Sequence, residues 1–485
     1  MSLVLYNTYS KKEEVFTPLE GNMVKMYTCG PTVYGRPHVG NYSSFLMADL
    51  LRRWLEVGHG FHVTHVKNIT DVGHLVADRD DGEDKIEKQA RSESVDPLSI
   101  ARKYTEQYLE DEKALNFLEP SSRPKATEYV LQMIEIIQEL IKNGNAYETS
   151  DGIYFAVETF PEYGKLSGNT LDKLDAGARV GVDEKKRHPA DFALWKKTVG
   201  GNARHLLRWS FPEGVRIDGE GENPNAGFPG WHIECSAMAR KLLGSTFDIH
   251  TGGEDNIFPH HECEIAQSEC TGSKPFVRYW LHKRRIDLGA EKMSKSLGNV
   301  LTLPDIVEKG YSPQDLRYYL LSVHYRTNLK FTWKGMDDAR KARTKIVEWM
   351  SEIENSAASA QGSTDATVVD VALKSFRDVM NADLNTSAAL AVLFDTMSDF
   401  RTAGSLHADV LVKYRELALL AAKTFGCFEK EAEEIPAEVT TLVVQRADAR
   451  AQKNFAESDR LRDAIAALGY TVKDTAEGQQ VKKTL

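Results

Sequence analysis

Two short motifs in this chain combine residue types that could handle the phosphates of a nucleotide. The first is KMSKS at residues 292–296, in which Lys292 and Lys295 stand three residues apart among small hydroxyl side chains. Lysine is a mobile point charge, so two lysines in one loop could follow the negative charge that develops on a departing pyrophosphate. A glycine at residue 289 and LGN at residues 297–299 flank the motif. It therefore predicts a role in phosphoryl chemistry.

The second motif is HVGN at residues 38–41, which follows an alternating apolar segment and a Gly-Pro turn. That order predicts the N-terminus of a helix, where free backbone N–H groups and the helix dipole suit a phosphate. His38 and Asn41 add directed donors, and Gly40 lets a ligand approach the backbone. Alone, the tetrapeptide is more typical of a structural turn. Together with KMSKS it favours a nucleotide site.

A third group of residues has the chemistry of a metal site. Cys29, Cys235, His260 and Glu264 are all of types that bind zinc. His260 and Glu264 stand four residues apart on a predicted helix, so both project from one face. Spacing alone leaves two alternatives open. The cysteines could only pack while the His–Glu pair lies on the surface, or His261 could be the ligand in place of His260.

A nucleotide-binding fold is needed to position these groups. Residues 23–29 alternate like a strand, residues 41–57 carry apolar residues near a helical period, and residues 61–69 form a second apolar run. Strand, glycine turn, helix and strand are the opening unit of a Rossmann-type sheet. A parallel sheet built from two halves of the chain could bring Cys29 and Cys235 together.

Further along, the character of the sequence changes several times. Residues 97–115 and 127–142 predict two amphipathic helices, and the mixed, loop-rich region 117–227 is typical of an insertion. The acidic run at residues 78–84 predicts a surface loop. From residue 228 the α/β character returns, with a strand and then a helix. The remainder is mainly helical after residue 313, with a low-complexity link at 355–366.

The last segment predicts one long charged helix, at about residues 441–468, and a short tail. Arg446, Arg450 and Lys453 recur at helical spacing along one side of that helix. Basic residues in such a row suit RNA phosphates, although a solvated helix face is an equally simple explanation.

Composition restricts the class of protein. The 485 residues carry a formal charge of −10, which argues against a protein that coats nucleic acid or anionic membranes, but not against local contacts. The sequence contains no run of about 18 apolar residues, so it predicts no membrane helix. The N-terminus does not resemble a signal peptide. Five cysteines in such a chain predict a reducing, cytoplasmic location rather than a disulfide framework. For Cys263, Cys270 and Cys427, packing is the favoured role.

Taken together, the motifs resemble those of the class I aminoacyl-tRNA synthetases, and within them the cysteinyl-tRNA synthetase family. The resemblance runs essentially end to end and is densest between residues 29 and 299. It rests on CGPTVY before HVGN, NITD at 68–71, GWHIECSAM at 230–238, FPHHECEIAQSE at 258–269, KMSKSLGN at 292–299 and RADARAQKNFAESDRLRDAI near the C-terminus.

The resemblance implies which residues would bind each partner. Zinc, one ion per chain, would be held by Cys29, Cys235, His260 and Glu264. Trp231 resembles the residue that closes the cysteine pocket, Thr70 the one near the substrate amine, and His250 is a similar candidate. ATP, with Mg²⁺, would be bound by Pro31, Thr32, Val33, Tyr34, Gly35, Arg36, Pro37, His38, Val39, Gly40, Asn41, Asp255, Lys292, Met293, Ser294, Lys295 and Ser296. Of these, His38, Asn41, Lys292 and Lys295 would be catalytic.

The implied activity is the ATP-dependent ligation of L-cysteine to tRNA(Cys) through a cysteinyl-adenylate, with transfer to the terminal adenosine at its 2′-hydroxyl. Cysteine differs from serine by one atom, which a hydrophobic pocket separates poorly. A zinc ion with room for another ligand prefers a thiolate to a neutral hydroxyl, so we expect the metal to select the substrate without an editing domain.

The expected architecture is an α/β, Rossmann-type parallel-sheet core split by an insertion, followed by a helical bundle and a small C-terminal tRNA-binding domain. A monomer is expected. The predicted parts are the first half of the core at 1–116, the connective insertion at 117–227, the second half of the core at 228–285, the KMSKS-bearing stem-contact region at 286–340, the helical bundle at 341–428 and the anticodon-binding domain at 429–485.

Two departures from the family pattern leave alternatives open. The tail reads GQQVKK, with Val481 where the family commonly has tryptophan, which puts base stacking there in doubt. Lys283 and Arg284 replace the more usual Asn-Gly. The rival functions are a cysteine ligase of mycothiol biosynthesis, which needs no anticodon domain, and an inactive tRNA-binding paralogue. The residues after about 430 favour tRNA over the first, and the intact HVGN and KMSKS motifs argue against the second.

Overall fold

The chain divides into two compact units in the computed structural model, residues 1–428 and 429–485. The structure describes residues 2–72, 84–171, 185–272, 274–288, 291–292, 300–429, 436–475 and 478–483. All of the acidic run predicted as a loop, except its last residue, lies outside these ranges. None of the described helices combines the length and apolar character that a membrane span requires.

The first unit mixes strands and helices up to about residue 331 and is helical after that. Its strands are β1 (Val4–Asn7), β2 (Lys12–Val15), β3 (Met23–Thr28), β4 (His62–Lys67), β5 (Ala146–Glu148), β6 (Gly152–Phe155), β7 (Phe192–Thr198), β8 (Arg208–Ser210), β9 (Arg216–Ile217), β10 (Asn223–Pro229), β11 (Phe247–Gly253), β12 (Val277–Lys283), β13 (Ile286–Leu288), β14 (Glu291–Lys292) and β15 (Leu329–Phe331). Its helices are α1 (Val39–Arg53), α2 (Lys85–Glu93), α3 (Pro97–Ala114), α4 (Val130–Lys142), α5 (Trp231–Leu243), α6 (Glu262–Glu269), α7 (Leu303–Glu308), α8 (Pro313–Leu321), α9 (Trp333–Asn355), α10 (Thr367–Asn381), α11 (Thr386–Thr402) and α12 (Ala408–Phe425).

A four-stranded parallel sheet in the order β12-β11-β3-β4 forms the centre of this unit. From β3 the chain passes through α1 to β4 on one side, and from β11 through α6 to β12 on the other. The strand order therefore reverses between β3 and β11, and the crevice at their carboxyl ends is the position where such sheets bind ligands. The predicted Rossmann-type core, split between two halves of the chain, is confirmed.

The turn after β3 lies very close to the residue that follows β4. A β-carbon at Gly30 would lie 1.7 Å from the carbonyl oxygen of Asn68, so only glycine fits there. The backbone N–H of Gly30 donates to Asn68 Oδ1 at 2.8 Å, and the N–H of Cys29 donates to the carbonyl of Thr251 in β11. The Cys-Gly-Pro turn is thereby attached to strands on both sides.

The insertion between the two halves contains more regular structure than its composition predicts. Besides α4, it forms an antiparallel sheet in the order β5-β6-β7-β10-β8-β9. The segment at 219–227, at the end of the region predicted to be loop-rich, leads into strand β10, whose pairing with β7 is irregular between Asn223 and Gly227. A strand forms there because β7 and β8 supply its hydrogen bonds, which the local Gly/Pro/Asn composition does not reveal.

Helices α9 to α12 form the predicted helical part and share an apolar core with α1 of the sheet domain. Their contact includes a buried charge cluster around Asp49. Its carboxylate accepts hydrogen bonds from Arg53 Nε at 2.7 Å, from Arg317 and from the backbone N–H of Leu118 at 2.8 Å. Arg317 also donates to the carbonyl of Phe425 at 2.6 Å, at the end of α12. The cluster attaches α1 to the helical part.

Replacing Asp49 with asparagine is expected to lower the free energy of unfolding by about 3–5 kcal/mol, because two buried guanidinium groups lose their counter-charge. Burial raises the pKa of Asp49, but the charges of Arg317 and Arg53 outweigh it and lower the pKa to about 2. The carboxylate therefore stabilises the fold at neutral pH, and this contribution is lost as the pH falls from about 4 towards 2.

Denaturant unfolding followed by circular dichroism measures this change. Asp338→Asn is the control, because Asp338 lies exposed on α9 in an i,i+4 pair with Lys334 and its loss should cost at most about 0.5 kcal/mol. Equal effects of the two substitutions would contradict the assignment of the Asp49 cluster as a stabilising contact.

The second unit consists of helices α13 (Ala437–Ala451) and α14 (Phe455–Ala467) and a hairpin of β16 (Tyr470–Thr475) and β17 (Gly478–Lys483). The predicted single helix is wrong, because the chain turns between the two helices, where Lys453 has a φ of 58° and the Asn454 side chain caps α14. Arg446 is buried and pairs with Asp474 at 2.9 Å, while Arg450 contacts the same carboxylate at 3.3 Å. The predicted row of RNA-facing basic residues is therefore wrong for Arg446, which is already neutralised within the unit.

Candidate active site and metal centre

Two adjoining cavities open at the carboxyl ends of β3 and β11, where the strand order reverses. The first, which we name the nucleotide cavity, lies between the start of α1 and the loop after β11, and is lined by His38, Gly40, Asn41, Gly253 and Asp255 among others. The second, which we name the metal-side cavity, lies towards α5. Its lining includes Thr70, Trp231, Cys235 and His260. Cys29, Gly30, His38, Asn41 and Asn256 line both cavities.

His38 and Asn41 have a structural function besides the predicted functional one. The backbone N–H of Asn41 donates to His38 Nδ1 at 3.2 Å, and the backbone N–H of His38 donates to Asn41 Oδ1 at 3.0 Å. This reciprocal capping box begins helix α1. Because Nδ1 accepts a hydrogen bond, a neutral His38 carries its proton on Nε2. The cap therefore fixes both the helix start and the tautomer of the imidazole.

The segment predicted to bind ATP divides into lining and non-lining residues. Pro31, Thr32, Tyr34, Gly35 and Pro37 line the metal-side cavity, Gly40 and Asp255 line the nucleotide cavity, and His38 and Asn41 line both. Val33 and Val39 are buried in the apolar core instead. Arg36 forms a bidentate ion pair with Asp111, from Nε at 2.9 Å and from Nη2 at 2.6 Å, and lines neither cavity.

For KMSKS, the structure describes only the backbone of Lys292, which ends strand β14. Met293, Ser294, Lys295 and Ser296 lie outside the described residues. The roles predicted for these five residues therefore remain predictions.

The four predicted metal ligands converge next to the metal-side cavity. Cys29, Cys235, His260 and Glu264 are buried, and one donor atom from each lies within 4.8 Å of all the others. The Cys29 and Cys235 sulfurs are 3.8 Å apart, Cys29 Sγ is 3.7 Å from Glu264 Oε1, and His260 Nε2 is 3.0 Å from the same oxygen. Cys29 and Cys235 stand 206 positions apart in sequence and meet because helix α5, which carries Cys235, packs against β3.

This donor set fits a zinc ion. Tetrahedral zinc with bonds of about 2.3 Å to sulfur places two sulfur ligands about 3.8 Å apart, as observed for Cys29 and Cys235. Two thiols, an imidazole and a carboxylate are also the donor types that zinc prefers. Cys29, Cys235 and His260 line the cavity, so the cluster is open on one side to a small molecule.

The charges in the cluster agree with a cation site. Burial raises the pKa of Cys235, but hydrogen bonds from Cys29 and His260 lower it to about 6. Burial also raises the pKa of Glu264, and the charges of His250 and His260 outweigh it and lower the pKa to about 2. The pKa of Cys29 is raised well above its usual value by burial and by Cys235. One thiol and the carboxylate thus favour their anionic forms.

His261, the alternative ligand, is packed between two other histidines, His250 and His282. Its Nε2 is 3.3 Å from Cys29 Sγ and its Nδ1 is 2.7 Å from His282 Nε2. With Cys29, His250 and Glu264 it forms another possible donor group. Burial lowers the pKa of His261 well below its usual value, which keeps the ring neutral. Of the two groups, the one with His260 contains both cysteines and has three members, Cys29, Cys235 and His260, in the lining of the metal-side cavity, whereas the other has Cys29 alone there.

The three predicted substrate residues occupy different positions. Thr70 and Trp231 line the metal-side cavity, and the Trp231 ring stacks on His260 with a centroid distance of 4.4 Å. His250 is fully buried and its Nε2 is 3.0 Å from Glu264 Oε2, so it borders neither cavity and contacts a proposed ligand instead.

Several residues outside the predicted set also contact the site. Glu234 is buried, accepts a hydrogen bond from Thr70 Oγ1 at 2.9 Å, and has its pKa raised well above the usual value by burial and by Cys235. His232 Nδ1 lies 3.0 Å from His260 Nδ1. Both belong to the segment WHIEC, which ends in Cys235. Their position within one helical turn of a predicted ligand could have indicated that they contact the site. For Asn256, which lines both cavities, the sequence offers no comparable signal.

Comparison with known families covers nearly the whole chain. The family described as "tRNA synthetases class I (C) catalytic domain" matches residues 15–341. The "DALR domain" matches residues 375–429, and the "Cysteinyl-tRNA ligase anticodon binding domain" matches residues 432–481.

Individual proteins agree with the family matches. The chain is 42% identical to the cysteine–tRNA ligase of Chlorobium luteolum, over 100% of both chains. It is 40% identical to that of Chlorobium chlorochromatii, over 99% of this chain and 98% of the other. A solved structure of Mycobacterium tuberculosis methionyl-tRNA synthetase in complex with methionyl-adenylate matches with a TM-score of 0.55 and 13% identity, covering 84% of this chain and 90% of that one. At that identity the likeness concerns the fold alone.

Proposed function

The chain belongs to the cysteinyl-tRNA synthetase family of class I and ligates L-cysteine to tRNA(Cys), and we propose that the two adjoining cavities are its substrate sites. ATP would occupy the nucleotide cavity and cysteine the metal-side cavity. The observation that carries this proposal is the shared wall of the two cavities, formed by Cys29, Gly30, His38, Asn41 and Asn256. Substrates on either side of that wall would have their reacting groups adjacent.

Adenylate formation needs little covalent help from the protein. A carboxylate oxygen of cysteine attacks the α-phosphorus of ATP, the bond to the bridging oxygen breaks, and pyrophosphate leaves. The start of α1 would attract the phosphates through its free N–H groups, and His38 Nε2–H would donate to a phosphate oxygen. Lys292 and Lys295 would stabilise the departing pyrophosphate, which Mg²⁺ would accompany. Positioning and charge stabilisation are then the main contributions of the protein.

Recognition of cysteine would rest on the metal-side cavity. Cys29, Cys235, His260 and Glu264 would hold one zinc ion per chain. When bound, zinc supplies a ligand position that prefers the substrate thiolate to the hydroxyl of serine. Trp231 would close the pocket, and Thr70, held by Glu234, would face the substrate amine. His250 would orient Glu264 rather than touch cysteine.

Transfer of the cysteinyl group would follow at the 2′-hydroxyl of the terminal adenosine of tRNA(Cys). The second unit would bind the anticodon, which the family match at 432–481 supports.

We assign the remaining predicted parts as the core halves at 1–116 and 228–285, the connective insertion at 117–227, the stem-contact region at 286–340 and the helical bundle at 341–428.

The single chain is the proposed functional unit, because both cavities and the donor set are built from one chain. A cytoplasmic location is supported by the cysteines, since all five lie in the described ranges as free thiols.

Isotope exchange between ATP and pyrophosphate tests the assignment. We expect cysteine to drive exchange, serine to drive at least about 100-fold less, and tRNA(Cys) to become charged. No exchange with cysteine would contradict the proposal and favour an inactive paralogue. Exchange without charging of tRNA(Cys), together with coupling of cysteine to an amino-sugar, would favour the mycothiol-type ligase instead.

A further inference from the structure

Lys283 is a buried lysine at the edge of the nucleotide cavity that none of the steps above uses. It is the last residue of β12 and pairs with Gly253 at the end of β11, so it stands at the carboxyl edge of the parallel sheet. Its exposed fraction is 3%, and it lines the nucleotide cavity together with His38 and Asn41. A cation is thereby built into the wall of the nucleotide cavity.

The partners of Lys283 differ from those of equally buried lysines. In the described part of the chain three lysines are buried, and Lys67 and Lys196 each contact a carboxylate, of Glu112 and Asp151 respectively. Lys283 Nζ instead donates to the backbone carbonyl of the next residue at 3.2 Å, and no described carboxylate lies within ion-pair distance of it.

An unpaired buried cation is costly, because it loses its hydration without gaining a counter-charge. Burial accordingly lowers the pKa of Lys283 to about 8, although the charge of Glu254 raises it. An anion in the nucleotide cavity would supply the missing counter-charge. The same ammonium group would then be stabilised only when the ligand is bound.

We propose that Lys283 binds a phosphate group of the nucleotide, as a further positioning contact for the ligation reaction. The proposal rests on the proposed function in that the cavity is taken to hold ATP. Its grounds are the position of the lysine at the ligand-binding edge of the sheet, its burial in the cavity wall, and the lack of a described carboxylate partner. A lysine suits this function because it acts as a point charge with several donors.

Isothermal titration with ATP and with adenosine tests this contact in Lys283→Gln and Lys283→Met enzymes. Loss of a hydrogen bond to a charged group is expected to weaken ATP binding by about 10- to 100-fold. Adenosine affinity is expected to change by less than about twofold, since it has no phosphate. Arg284→Gln is the control, because this neighbouring cation lies exposed and pairs with Glu254 at 2.8 Å, so ATP affinity should change by less than about twofold.

Thermal unfolding of the ligand-free variants separates a ligand contact from a structural one. Removing an unpaired buried cation should leave the melting temperature of Lys283→Met unchanged or raise it. Unchanged ATP affinity, an equal loss for ATP and adenosine, or a lowered melting temperature would each overturn the proposal. If the wild-type enzyme shows no cysteine-dependent exchange, the proposed function itself fails, whereas failure of this inference leaves that exchange intact.

Discussion

Cys29→Ser enzyme is expected to lose its zinc and to activate cysteine at least about 100-fold more slowly than the wild type. A serine hydroxyl stays neutral and is a poor zinc ligand, so it cannot replace the thiolate in a set with Cys235, His260 and Glu264. Metal analysis of the purified protein and cysteine-dependent ATP–pyrophosphate exchange measure the two effects.

Cys270→Ser is the matched control for this substitution. Cys270 follows the helix that carries Glu264, but its thiol is only partly buried and is absent from both possible donor groups. Burial and the charge of Glu269 raise the pKa of this thiol to about 11, so serine replaces a neutral group with a neutral group. Retained zinc with normal cysteine activation in Cys29→Ser would contradict the ligand assignment.

Replacing His38 is expected to lower the exchange rate by about 10²- to 10³-fold, because one preorganised donor to the phosphates is lost. The side chain also caps α1, so loss of activity could reflect a weakened helix instead. His38→Asn separates the two functions, since asparagine is a good N-cap residue but has no Nε2–H at the same position.

The comparison of His38→Asn with His38→Ala decides between these explanations. Both variants should lose activity equally if the imidazole acts on the nucleotide. Only the alanine variant should lose stability, by about 1 kcal/mol, because it removes the side-chain acceptor of the Asn41 backbone N–H. Activity that follows stability, with asparagine restoring near wild-type exchange, would reduce His38 to a capping residue.

Predictions from local sequence succeeded where the signal and its cause lie within one element. The HVGN motif predicted a helix start, and the cap formed by His38 and Asn41 is a contact across three residues. The i,i+4 spacing of His260 and Glu264 predicted a shared face, and their donor atoms meet at 3.0 Å. Backbone geometry relates neighbours in a helix in the same way in every protein.

Predictions failed where distant residues decide the outcome. Strand β10 forms against its composition because β7 and β8 pair with it. Arg446 is buried instead of facing RNA because Asp474, 28 residues later in the hairpin, forms an ion pair with it. No periodicity within α13 reveals that partner, since charge pairing across elements depends on how the chain returns.

The chemistry available to this protein can be read from its residues in order: thiols, an imidazole and a carboxylate for a metal, a helix start for phosphates, and the succession of elements that carry them. Which of several residues with the same chemistry lie together depends on the folded arrangement of the chain. Packing of helix α5 against β3 brings Cys235 to Cys29. His260 lines the metal-side cavity whereas His261 does not, and no described carboxylate pairs with Lys283. Sheet neighbours are set by long-range pairing, and no local pattern of residues encodes that pairing directly.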